Sequence, residues 1–299
     1  GRCCHSLRGF FDFSGMIAVQ AFYCKFNWSI QSDCMKNFLV PVGNSKDSYE
    51  TLQSAVDFAS HFDAMIYVME VLNVSTRAGD LANTSEKFLA SSRERIREVI
   101  SHVDTKSVTL KAATYTGDLI DGLKEIDAEL GIDLIIIAPR SVEVDEELYL
   151  GSTSGSIIKR TDIPTLVVPK GAKFTPYKKI LTAFKSGVLK RNRILNPLIA
   201  IKKEFSSKIS LLLVKTPGYT DEDLKINTAL MDVSSDVTLT EQAKTYLGVL
   251  EHLKEYEPDL LCVFRRKRGF FSALWEKNRI LKSEFSVRIP VLVLSVKKD

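Results

Sequence analysis

Two stretches, TDIPTLVVP at residues 161–169 and SVRIPVLVLS at residues 286–295, share one pattern: an Ile-Pro pair followed by an unbroken apolar run. Such a repeat means either a coincidence or one folding unit used twice, and the segments before each ending decide between them. Before the first ending lies an apolar run at 134–138, bounded by charge and too short for a typical helix. That suits a strand buried on both faces. A polar loop follows, then Gly151-Ser152-Thr153-Ser154-Gly155-Ser156 leading into SIIKR, which reads as the glycine-rich entry to a helix. With the apolar run that closes the stretch, this is a strand-helix-strand unit whose loop sits where doubly wound sheets place their ligands. Glycine lets the backbone approach a bound group, and the first amides of a helix are unsatisfied donors that favour anions.

Upstream, strands are expected at 38–42, 64–72 and 108–114, separated by helices at 47–62 and 85–103. Residues Phe88, Leu89, Ile96, Val99, Ile100 and Val103 share one face of the second helix. Gly117-Asp118 starts a further helix, with Asp118 as its cap. Downstream the order restarts, with strands at 180–184, 209–214, 237–239, 260–264 and 291–295. Helices are expected at 191–204, 241–255 and 271–284, but residues 222–233 give at most a short one. The expected fold is therefore α/β: two tandem doubly wound domains, each a five-stranded parallel sheet with helices on both faces. The boundaries are domain 1 at 35–170, a short polar linker at 171–177 and domain 2 at 178–299.

The first 34 residues have no clean periodicity, and the regular pattern begins after Met35. They are expected to be a non-native or disordered leader. Four of the five cysteines (Cys3, Cys4, Cys24, Cys34) fall in it, and none has metal-ligand spacing. A body with one apolar-flanked thiol, Cys262, and no run of the roughly 18 to 20 apolar residues that a membrane helix needs points to a cytoplasmic protein. Charge is divided: residues 35–174 carry 15 Lys and Arg against 21 Asp and Glu, while residues 175–299 carry 23 against 14. That polarity either helps the halves dock or gives the second an anionic partner.

Four features together resemble the universal stress protein family in its tandem form: the FLVPVGNS strand and turn, the IYVMEV strand, the Gly117-Asp118 helix start and the GS…IP-hydrophobic ending. The resemblance implies a sandwich of the adenine-nucleotide α-hydrolase type, which associates through the last strand of each unit. It implies an ATP pocket lined by Pro41 and Val42 on the first strand and Val71 after the second. Phosphates would lie near Gly151, Ser152 and Thr153. The pattern departs from the family at Ala138 and Ser141, which replace glycines, and at Gly43, which replaces an aspartate; Arg140 adds a cation. The pocket is thus degenerate, and Gly151-Ser152 alternatively only caps a helix.

In the second unit the matching positions are Phe264, Lys267, Lys277-Asn278 and Lys185, too bulky for the same ligand, so no cofactor is expected there. Arg265, Arg266, Lys267, Arg268, Lys277, Arg279 and Lys282, with Phe270, Phe271 and Trp275, form either a solvated charged loop or a polyanion site. No phosphate-binding P-loop, HExxH or nucleophile elbow appears, and Glu143 to Glu147 reads as solvated charge. No catalytic or metal-ligating set is expected. The reading is a non-enzymatic stress-response module. Its partners are an adenine nucleotide and a protein, or a second copy through the last strands, without membrane or nucleic acid. The alternatives are a weak ATPase or a polyanion-binding module.

Overall fold

The apolar runs too short for helices all pair into one sheet. The structure, a computed structural model, describes residues 35–43, 47–72, 81–138, 151–266 and 289–296, with backbone alone at 47, 81–86 and 151–152. The first half contains β1 (Asn37–Pro41), α1 (Asp47–Ala59), β2 (Met65–Leu72), α2 (Leu81–Ser101), β3 (Leu110–Thr116), α3 (Leu119–Leu130), β4 (Leu134–Ile137), α4 (Gly151–Arg160) and β5 (Thr165–Val167). The second contains β6 (Lys179–Phe184), a 3₁₀ turn (Asn192–Leu195), α5 (Asn196–Phe205), β7 (Lys208–Lys215), α6 (Thr228–Val233), β8 (Asp236–Glu241), α7 (Thr245–Tyr256), β9 (Leu260–Arg265) and β10 (Val291–Ser295). The expected helix at 271–284 lies outside the described residues, as do Arg140, Ser141 and the acidic run at 143–147.

The ten strands run in the order β3-β2-β1-β4-β5-β10-β9-β6-β7-β8. Every neighbouring pair is parallel except β5 and β10, which meet antiparallel with Val291 opposite Val167 and Val293 opposite Thr165. The two Ile-Pro endings thus pair with each other inside one chain, and neither last strand is left as an edge. Helices α1, α2, α5 and α6 bury their apolar positions on one face of the sheet, and α3, α4 and α7 on the other. All four residues of β4 are buried, as an apolar run in a strand covered on both faces requires. Asp118 caps α3 by accepting from the Ile120 and Asp121 amides.

A shared device fixes the register of the halves against each other. Asp133, just before β4, accepts from the backbone amides of Lys36 (2.7 Å) and Asn37 (3.0 Å). Asp259, just before β9, accepts from those of Lys178 and Lys179, both at 2.8 Å. By this register Pro41, Val42, Gly43 and Ala138 of the first half correspond to Ala183, Phe184, Lys185 and Phe264 of the second.

The segment at 171–177 is not the polar spacer its composition suggests. Phe174 and Tyr177 pack with each other, with Phe58 of α1 and with Phe205 of α5, ring centroids 5.6 to 5.9 Å apart, and Phe62, just after α1, joins the cluster against Phe58 and Phe205. Tyr177 is buried, which pushes its phenol pKa up. Arg265 joins the halves from the other side. It donates to the Lys159 and Thr161 carbonyls at the end of α4 (3.0 Å each), to Asp162 (2.8 Å) and to Ser295. A guanidinium at a helix C-terminus meets both its free carbonyls and its dipole.

Candidate functional site at the two switch points

In each half the strand order reverses once, between β1 and β4 and between β6 and β9. A crevice opens at the carboxyl ends of strands at such a point. The two crevices are built differently.

In the first half, β1 ends at Pro41, Val42 and Gly43, and β4 at Ile137 and Ala138. Ser48, buried at the start of α1, holds the turn: its hydroxyl donates to the Gly43 carbonyl (2.8 Å) and accepts from the Gly43 amide (3.1 Å). Ser154, also buried, donates to the Ala138 carbonyl at 3.0 Å. That bond ties the first turn of α4, which carries Gly151, Ser152 and the half-buried Thr153, to the end of β4. Strand end and helix start are therefore brought together, as the sequence suggested. The two valines are not. Val42, whose amide donates to the Met69 carbonyl (2.8 Å), packs against the core under α1 and α2, whereas Val71 packs against the core under α3 and α4. Pro41 is opposite Met69 in the β1–β2 ladder.

A cavity of about 300 Å³ opens beside Ala138, between the ends of β4 and β5 and the flank of α1, with Glu50, Gln53, Asp57, Lys170 and Lys173 on its walls. Of the expected site residues that the structure describes, Ala138 alone lines it.

In the second half the crevice is filled by the protein itself. Phe184 and Phe264, at the ends of β6 and β9, are both buried with ring centroids 5.9 Å apart. Arg266 reaches across, donating to the Ser186 carbonyl (3.0 Å) and the Val188 carbonyl (2.5 Å). Burial lowers the pKa of that guanidinium, against the opposing pull of Asp223. The loop it crosses is held by the segment before α6: the Gly187 amide donates to the Asp223 carbonyl (3.3 Å), the Asn227 amide donates to the Gly187 carbonyl (2.9 Å), and the Asn227 side chain donates to the Leu189 carbonyl. A Cβ at Gly187 would meet the Ile226 backbone at 2.7 Å, so the two loops touch where only glycine fits.

Sequence reasoning found the bulk of Phe264 but missed the clamps. Arg265 and Arg266, read as members of a basic cluster, are both spent on internal carbonyls. Their signal was position: two arginines directly after the buried strand LLCVF, where strand ends leave carbonyls to satisfy. The other basic members of that cluster lie outside the described residues. Cys262 is fully buried, and burial pushes its thiol up to about 12, so it is no nucleophile in the folded protein. Among the described residues no group of three or more His, Cys, Asp or Glu could hold a metal ion, and no helix is long and apolar enough to cross a membrane.

The sequence model described as universal stress protein family matches residues 35–169. Universal stress protein G of Shigella flexneri is 28% identical over 118 residues, which cover 38% of this chain and 82% of that protein. A universal stress protein of Methanocaldococcus jannaschii is 26% identical over 143 residues, 46% of this chain and 84% of that one. Among solved structures, a universal stress protein from Archaeoglobus fulgidus matches with a TM-score of 0.62 at 16% identity, covering 87% of this chain and 98% of that one. At that identity the likeness is one of fold, and it extends over both halves of the sheet. Residues 35–169 thus match the universal stress protein family model, and the relatives that align with them are universal stress proteins.

Proposed function

We propose that the chain is a tandem universal stress protein, a non-enzymatic regulatory module of the cytoplasm whose first half holds an adenine nucleotide and whose second half has given up that role. The observation that carries this reading is the contrast at the switch points. Gly43 and Ala138 stand where the second half has Lys185 and the buried Phe264, so the first crevice has small residues where the second has an aromatic plug. Small side chains let backbone approach a ligand, and α4 begins next to Ala138 with its first amides free of intrahelical partners. An ATP molecule fits the first crevice on these grounds and does not fit the second. The residues that would hold it are Val71 and the backbone of Pro41 and Val42 around the base and Ala138, Gly151, Ser152 and Thr153 near the phosphates, with Arg140 and Ser141 contributing from the loop between; the Val42 side chain itself faces the opposite core. The missing carboxylate at Gly43 makes the pocket a weak binder and leaves no group to organise hydrolysis. The segments 35–170 and 178–299 act as two domains joined by 171–177.

Thermal unfolding of the full chain with millimolar ATP, GTP or no nucleotide tests the proposal. A ligand that binds only the folded state raises the melting temperature. ATP should raise it, Gly151→Val should remove the rise, and phosphate release should stay at background. No shift with any nucleotide contradicts the binding reading, and phosphate release lost in Gly151→Val contradicts the non-enzymatic one.

A further inference from the structure

The crossover between the second and third strands differs sharply between the halves. In the first it contains α2, 21 residues long, whose Ile96 and Val99 are buried against the sheet, as is Val103 just after it. A polar network fastens that helix down: Glu70 of β2 accepts from Arg95 (2.7 Å) and from Ser92 (2.5 Å), and Ser92 lies 3.2 Å from Thr114 of β3. In the second half, residues 216–235 are all described and contain only the six-residue α6.

By strand register, Val237 and Leu239 of β8 stand where the first half has Ala112 and Thr114, and Leu213 stands where it has Glu70. The polar fastening is replaced by apolar side chains: Leu213 is buried in the core with Leu230 of α6, whereas no described residue covers Val237 and Leu239 of β8. Val237 is 41% exposed and Leu239 56%, with Met231 of α6 at 42% and Leu224 at 37%. These are four of the five exposed large hydrophobics among the described residues, the fifth being Phe88. Charge marks the same region. Residues 216–241 carry six acids against Lys225, net −5, inside a half that is otherwise strongly basic. Lys208 pairs with Asp236 and Lys215 with Glu241, and Asp223 accepts from Thr220, which leaves Asp221, Glu222 and Asp232 as exposed acids of the segment.

We propose that the exposed apolar face of edge strand β8, with Met231 of α6 and Leu224, is a docking site for a basic amphipathic helix of a partner protein. The first half supplies the shape of the occupant, since α2 lies by an apolar stripe over β3, the strand that corresponds to β8. The acidic rim supplies its charge. An exposed apolar patch with a polar rim is the ordinary mark of an interaction surface, and amphipathic helices dock by anchors spaced along one face.

The test uses the full chain and a labelled 21-residue peptide of leucine and lysine in amphipathic helical order, followed by fluorescence anisotropy. Two control peptides are included, one with glutamate for lysine and one with the order scrambled. The basic amphipathic peptide should bind, weaken as salt rises, and weaken about tenfold in Leu239→Ser, since each factor of ten corresponds to about 1.4 kcal/mol and a buried leucine is worth at least that. Met231→Ser, outside the sheet, should weaken it too. Equal binding of the scrambled or acidic peptide, or binding indifferent to both substitutions, overturns the proposal. So does a concentration-dependent dimer in sedimentation that Leu239→Asp abolishes, because a second copy would then own this face.

Discussion

The two halves of the sheet share strand order, register and an anchoring aspartate, yet they treat their crevices in opposite ways. The first rims its switch point with Gly43 and Ala138 and braces the surrounding backbone with serine hydroxyls. The second packs Phe184 against Phe264 with tilted rings and pulls its loops inward with Arg266. A duplicated fold needs its core twice but its ligand site only once. The spare crevice then turns into core, and its apolar and cationic groups become part of what holds the protein together. The crossovers differ in the other direction: α2 covers the first half's outer strands, whereas among the described residues nothing covers Val237 and Leu239 of β8.

Transplanting the plug gives the largest expected effect. Val42→Phe with Ala138→Phe places the second half's aromatic pair in the first crevice, and nucleotide binding should disappear while the fold persists. Binding that survives the double substitution would mean the nucleotide does not use this crevice. Next comes Phe264→Ala, which empties a fully packed position and should cost about 3–5 kcal/mol in chemical denaturation. A loss under about 1 kcal/mol would mean the second crevice is not packed as core. Arg265→Ala removes a clamp between the halves and leaves the carbonyls at the end of α4 short of donors. A loss of about 2–3 kcal/mol is expected, together with a broader, less cooperative transition. Smallest and most telling of equivalence are Asp133→Ala and Asp259→Ala. Each strips an acceptor from two backbone amides, so each should cost about 1–2 kcal/mol and the two should match within about 0.5 kcal/mol. A large disparity would show that the halves are alike in outline but not in energetics.

The fold was legible in the sequence because its signals are periodic and doubled. Strand positions at 134–138 and 291–295 follow from apolar runs alone, and the antiparallel meeting of β5 and β10 follows from two short hydrophobic edges that need partners. The site was less legible because its parts are defined by three-dimensional neighbours. Arg265 and Arg266 look like surface charge until the carbonyls they satisfy come into view. Phe174 and Tyr177 hide in a segment whose glycine, lysine and proline read as linker, although their rings fill the junction with Phe58 and Phe205. Val42 and Val71 are neighbours by motif, but side chains alternate across a strand, and these two fall on opposite faces.

Calorimetric titration of ATP into the full chain, with and without Mg²⁺, tests the contrast between the crevices most directly. One site per chain with a micromolar dissociation constant (about −8 kcal/mol), absent in Gly151→Val and unchanged in Phe264→Ala, is the expected result. Two sites per chain, or no heat at high protein concentration, would contradict it.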